Sequence, residues 1–306
     1  VTVTKTQTPA VRRAGAAEGD LELASRRRNR RTYLVLLLPG LLGLLVSFVF
    51  PLAYMIRMSF NRGAPDGVIE ETFTLDTYIQ PLTDPYYWRV TLDTFQMGVT
   101  VGLLCVLVSY PVALFLARST SKYRGLLMAI AIAPLLTSAV VRTYGWMVIL
   151  GTNGLVNSSL KGMGLIDTPL KLTNNMTGVT IGLVEIFMPY AILAMISGFG
   201  RLSPQLEEAA GSLGASKLQV FTRVTIPLSL PGILTAFLLV FVLSISTFIT
   251  PRLLGGGSVQ VLATEVYDQT TGLLNWPFAA ALSVILLILF GLIIAVYQRL
   301  TKKIGG

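Results

Sequence analysis

Six apolar stretches, each long enough to cross a membrane, constrain this chain more than any other feature. They run roughly over residues 34–58, 94–117, 126–150, 177–199, 229–250 and 278–297. At about 1.5 Å rise per residue, about 20 residues cross the hydrocarbon core, so each stretch suffices for one helical span. Hydrocarbon offers no partner to backbone N–H and C=O groups, which makes self-satisfying helices the natural form for runs of this length. The expected fold is therefore an all-α integral membrane protein with six transmembrane helices. Proline interrupts several spans, at Pro39, Pro51, Pro111, Pro134 and Pro189. Each such span either kinks or breaks to build a binding site, and both readings stand at this point.

Composition agrees with a membrane solvent. Of 306 residues 53% are hydrophobic and 13% charged, and the mean hydropathy is +0.69, which excludes an ordinary soluble domain. The formal charge of +9 does not gather on one face with interleaved aromatics, so no nucleic-acid partner is expected. The chain has no histidine and one cysteine, Cys105, inside an apolar run. Histidine-based triads and the HExxH zinc motif are thereby absent, no internal disulfide can form, and no catalytic residue, metal site or cofactor of this chain's own is expected.

Charge asymmetry sets the orientation. Residues 1–33 read as a disordered basic tail ending in Arg26 to Arg31, an anchor at the membrane surface. With that tail inside, the tail, the segments 118–125 and 200–228 and the C-terminal end hold 17 of the 24 lysines and arginines. Positive-inside bias then puts both termini and the 200–228 loop in the cytoplasm. Trp88, Trp146 and Trp276 fall at the expected outer boundaries, where indole rings favour the interface. The outer loop of about 60–93 carries Asp66, Glu70, Glu71, Asp76, Asp84 and Asp93 with Tyr78, Tyr86, Tyr87 and Trp88, and reads equally as a partner surface or as a loop packed on the bundle. Gly255, Gly256 and Gly257 predict a flexible turn near the outer mouth. The domain plan is a tail over 1–33, a first span with its outer loop over 34–93, and a main membrane domain over 94–300.

The polar-punctuated stretch from Glu207 to Pro231 interrupts that domain. Ser203 before Pro204 starts a helix, because Ser can accept a free amide and proline at the first position loses no needed donor. Glu207 and Glu208 lie in its first turn, favoured by the helix dipole. Gly214 stops it, and Ser216 with Gln219 forms a capping box for a second short helix ending before Pro227. The result is a compact knob that a soluble partner could grip. Within it GSLGASK, Gly211 to Lys217, imitates a phosphate loop but lacks the glycine before lysine and the preceding strand, so nucleotide binding is assigned to another subunit.

Two ionisable residues fall inside the spans, Arg142 and Glu185. A charge in hydrocarbon costs at least about 2.5–3.5 kcal/mol, so such groups face a partner or a wet cavity. Both are expected at similar depth. They either pair and lock two spans or line the substrate path, and both readings are kept. Gly178, Gly182, Ser197, Gly198 and Gly200 would allow close helix approach.

At the knob a family resemblance becomes specific. Glu208, Ala209 and Ala210, then Gly214, then Val224, Ile226 and Pro227 resemble the EAA loop, EAA-x3-G-x9-I-x-LP, of the membrane subunits of binding-protein-dependent ABC importers, with Val224 and Ile226 as conservative departures. Thr143 to Asn157 and Ile245 to Gly257 look like the spermidine/putrescine-type branch. The resemblance implies a type I importer transmembrane domain with its EAA loop at 203–228, in the bacterial inner membrane. It implies that Glu207, Glu208, Ala209, Ala210, Gly211, Gly214 and Pro227 form or flank a coupling helix docked on a cytoplasmic ATPase. The implied partners are two ATPase subunits holding ATP and Mg, a second permease chain or copy of this one, an extracytoplasmic solute-binding protein, and the lipid bilayer. Polyamine is the implied substrate. An opine, amino acid derivative, phosphonate or iron are alternatives, and an ion-gradient-driven carrier using Glu185 is a competing mechanism.

Overall fold

The computed structural model describes residues 36–63, 67–199 and 202–304, with side chains as far as Arg299. The tail over 1–33, Asp66, Gly200, Arg201 and the side chains of Lys302 and Lys303 lie outside the described residues, and with them parts of the charge count. The compact unit runs from Met58 onward. The chain preceding it contributes most of α1, a 23-residue helix, Leu36–Met58, long and apolar enough to span.

After a two-stranded ribbon, β1 (Arg62–Gly63) and β2 (Ile69–Glu70), the unit is built from helices. A short helix, α2 (Asp76–Thr83), leads into α3 (Pro85–Arg118), 34 residues long. At 1.5 Å per residue α3 extends about 50 Å, well beyond the hydrocarbon. The expected boundary at 94 is thus nine residues late, and Tyr86, Tyr87 and Trp88 are helical. The cause is local: Asp84 accepts from Tyr86 N at 2.8 Å and Pro85 occupies the first turn, a start signal that overrides the polar composition of residues 85–93.

The expected third span is a broken one. Helix α4 (Arg124–Ile132) tightens into a 3-10 turn at Ala133–Leu136 that contains Pro134. The chain is extended at Thr137 and Ser138, then resumes as α5 (Ala139–Leu150). The two arms diverge by 94°. Proline cannot donate, and Ser138 accepts from Val140 N at 3.3 Å, so one residue pair ends the first arm and caps the second. Helix α6 (Leu155–Gly162) follows. Buried Asn157 then closes the loop by bonding Gly151 O at 3.1 Å, Leu170 O at 3.0 Å and Leu170 N at 2.8 Å.

Helix α7 (Met176–Gly198) returns to the end where α3 finishes. There stand α8 (Pro204–Ser212) and the four-residue α9 (Lys217–Val220). The expected second short helix does not end before Pro227. It continues through a π-helical turn, Phe221–Thr225, into α10 (Ile226–Ser246), so that Lys217–Ser246 is one 30-residue helix. The wider turn lets Ile226 N reach Phe221 O and removes the clash that the Pro227 ring would make in a regular turn. Beyond Thr247 and Phe248 come α11 (Ile249–Leu254), α12 (Leu262–Thr271) and α13 (Trp276–Ile304).

Helices α3, α7 and α10 form the core, with Met97, Val101 and Cys105 against Leu183, Ile186, Ile192, Ala236 and Val240. Lipid tails are as apolar as these side chains, so close fit and small residues hold the helices together. Gly198 and Gly232 meet so closely that a Cβ on Gly198 would lie 2.3 Å from the Gly232 Cα. A second cluster, Tyr87, Val90, Leu262, Phe278 and Leu282, joins the start of α3 to α12 and α13. Part of the expected aromatic outer loop is therefore packing surface. The triple-glycine turn is tied down by Ser258 Oγ, which donates to Asn174 O at 2.6 Å and Gly255 O at 2.7 Å.

Candidate functional site: a tethered hairpin and two charge pairs

The hairpin of α8 and α9 is built as its caps direct. Gly214 adopts φ +87°, a left-handed turn that favours glycine, and Ala215 N closes it onto Ala210 O at 3.1 Å. The capping box is complete, with Gln219 N on Ser216 Oγ at 3.3 Å and Ser216 N on Gln219 Oε1 at 2.8 Å. Ser203 departs from expectation. Its hydroxyl donates to the Gln205 side chain and caps no amide of α8, so Pro204 supplies the start.

The two adjacent glutamates face opposite ways. Glu207 pairs with Arg118 at the end of α3 and accepts from the buried Thr225 hydroxyl at 2.7 Å. Arg118 also donates to Thr225 Oγ1 at 3.4 Å. One carboxylate thereby joins α8, α3 and the π-turn leading into α10. Glu208, Ala209, Gly211 and Gly214 are exposed, Ala210 is half-buried, and Leu213 is 90% exposed. Below the hairpin, the Tyr110 ring meets Phe199 and Phe221 edge-on at 5.9 and 6.2 Å, and its hydroxyl meets Ser229 Oγ at 3.1 Å. Pro227 lies in the first turn of α10, inside the continuous helix and away from the hairpin tip. The structure thus gathers Glu208 to Gly214 on one exposed knob and uses Glu207 as its internal tether. Arg118 and Thr225 complete that tether and were missed from sequence, where nothing marks residues 89 and 18 positions from Glu207 as its partners.

Arg142 and Glu185 come together. Arg142 Nη1 is 3.4 Å from Glu185 Oε1, with side-chain exposures of 12% and 28%, and Arg142 Nε is buried without a hydrogen-bond partner. Trp146 Nε1 donates to Glu185 Oε2 at 3.1 Å, so this indole serves the intramembrane charge beyond any interfacial role. Trp146 is one helical turn from Arg142 on α5, a spacing that brings both to one face. The pair binds α7 to the arm that follows the 94° break.

A further group lies on α11 and α12. Arg252 Nη1 is 2.9 Å from Asp268 Oδ2, its Cζ lies 5.8 Å from the Tyr267 ring centroid, and Phe248 stacks on Tyr267 at 5.0 Å and 16°. Beside it Glu265 is buried, accepting from Tyr86 Oη at 2.9 Å and Gln269 Nε2 at 3.0 Å. Among the described residues no group of three metal-ligating side chains occurs.

Residues 109–305 match the family described as the binding-protein-dependent transport system inner membrane component. The chain belongs to that family. It is a multi-pass inner membrane permease component of an ABC importer, and the gradient-driven carrier reading gives way. The spermidine/putrescine transport system permease protein PotB of Escherichia coli strain K12 is 38% identical over 266 residues, covering 87% of this chain and 96% of that protein. PotB of Haemophilus influenzae is 34% identical, covering 85% and 91%. The fold is similar to a solved bacterial ABC transporter involved in import of the acidic polysaccharide alginate, with TM-score 0.72 at 17% identity over 93% of this chain and 100% of that one. It is also similar to the MetNI methionine ABC transporter, with TM-score 0.52 at 20% identity over 72% and 99%. The architecture is that of type I importer transmembrane domains.

Proposed function

We propose that this permease carries a polyamine, spermidine or putrescine, into the cytoplasm and is driven by separate ATPase subunits that dock on the α8–α9 hairpin. The substrate reading rests on PotB, whose name states spermidine/putrescine transport and which matches over nearly its full length. The coupling reading rests on the division of labour between Glu207 and Glu208. A knob with an exposed Glu208–Gly214 tip and a tethered base transmits a push at the tip to α3 and α10, where a floppy loop would absorb it. In this reading Glu208, Ala209, Ala210, Gly211 and Gly214 meet the ATPase, Pro227 shapes the junction to α10, and ATP and Mg reside on the ATPase pair. The hairpin and both termini then face the cytoplasm, and a solute-binding protein delivers substrate at the opposite end. Binding of ATP favours one orientation of the spans only by binding one state more tightly than the other.

The test is copurification with the ATPase of the assembled transporter. Glu208→Lys or Gly214→Asp is expected to abolish ATPase association while membrane insertion persists; retention of both association and uptake defeats the coupling reading. Uptake of labelled spermidine and putrescine by proteoliposomes holding the complete transporter checks the substrate.

A further inference from the structure

We infer that Phe248, Tyr267 and Asp268 form a seat for a substrate ammonium group, and that Arg252 occupies this seat when substrate is absent. A primary ammonium is recognised by a carboxylate for its charge and by an aromatic face for its field. Asp268 supplies the first at 2.9 Å from Arg252 Nη1. Tyr267 supplies the second at 5.8 Å from Arg252 Cζ. Its ring is held in place by the nearly parallel Phe248 ring at 5.0 Å. The chain's own guanidinium therefore makes the two contacts that a tethered or free alkylammonium would make.

The seat is wet and accessible. Arg252 and Asp268 keep 43% and 29% of their side-chain surface exposed, and Tyr267 keeps 37% exposed. Charges so exposed cannot face hydrocarbon without a large penalty, so they border an aqueous compartment. Neighbouring Glu265 is committed to Tyr86 and Gln269, which leaves Asp268 as the exchangeable carboxylate on this turn of α12. The seat is linked to the Arg142–Glu185 pair through helix α11. Helix α11 packs on α5 and α7, and Thr250 Oγ1 meets Thr143 Oγ1 at 3.1 Å, one residue from Arg142. An arginine already in the seat makes binding an exchange of cation for cation. The carboxylate is never left bare, and an uncharged or anionic solute gains nothing there.

The inference rests on the polyamine reading for the identity of the cation, and two separate assays keep the two apart. Direct binding of radiolabelled spermidine is measured on the complete transporter in nanodiscs, without its binding protein, for wild type, Arg252→Gln, Asp268→Asn and the double variant. Arg252→Gln removes the competitor and is expected to tighten binding about tenfold. Asp268→Asn is expected to weaken it by about as much, and the double variant to lose the gain. ATPase copurification reports assembly for each variant. If Arg252→Gln fails to tighten binding in an assembled transporter, or if both single variants shift binding the same way, the seat is overturned. Uptake is scored separately: a wild type that imports no polyamine defeats the substrate reading, while tightening by Arg252→Gln would still uphold the seat.

Discussion

At the scale of single residues, the informative contrast is between charges held inside and charges left outside. Glu207 and Glu208 are indistinguishable by type and adjacent in sequence, yet one is bonded to Arg118 and Thr225 and the other is exposed. Arg118→Ala is therefore expected to leave ATPase association intact while lowering ATP-driven uptake about tenfold, within the usual range of coupling free energies; uptake and copurification on the same preparations check it. Both members of the Arg142–Glu185 pair are partly exposed, Glu185 the more so. Glu185→Gln leaves the largely covered Arg142 without its counter-charge, at a cost of about 1–3 kcal/mol, below that of a fully buried pair because both side chains reach solvent. Thermal unfolding of the variant should fall accordingly and recover in Glu185→Gln with Arg142→Gln. Polyamine uptake is expected to fall further than assembly; equal loss of both assigns the pair to locking α5 against α7 alone.

Among the elements, the departures from expectation share a cause. Residues 126–150 are apolar enough for one span, but Pro134 and the Ser138 cap divide them, and a hydropathy pattern carries no information about the direction in which a chain resumes. Residues 217–246 contain Pro227 and Pro231 yet form one helix, with a π-turn at Phe221–Thr225 just ahead of Pro227 and Pro231 inside the regular helix that follows. Close approach decides packing where hydrophobicity cannot. Gly198→Leu would drive a side chain into the Gly232 backbone, and overpacking of this kind costs about 1–3 kcal/mol or more. The yield of monodisperse protein in size-exclusion chromatography is expected to drop sharply, with no comparable effect from Gly125→Leu, whose Cβ would meet open space.

For the molecule as a whole, the described residues provide one such hairpin, and the proposed docking on a pair of ATPases calls for two. Native mass spectrometry of the purified transporter is expected to find two permease chains and two ATPases; a single permease chain with a single ATPase would overturn that assembly. The other end presents the Arg252 cluster and the packed α2–α3 entry, so the contacts expected to drive transport and those expected to recognise substrate lie on different elements joined by α10.

A helical membrane protein, the place of most of its spans and a hairpin shaped by Gly214, Ser216 and Gln219 were all legible in the residues alone. Those signals are local: apolar length, backbone sterics and hydrogen bonds three residues apart. The packing of the helices was needed to show that Glu207 tethers while Glu208 is exposed, that Trp146 and Arg142 share Glu185, and that Arg252 sits on Tyr267 and Asp268. Each of those contacts joins residues on different helices, and their meeting depends on the 94° break, the π-turn and the Gly198–Gly232 approach, which set where whole helices stand.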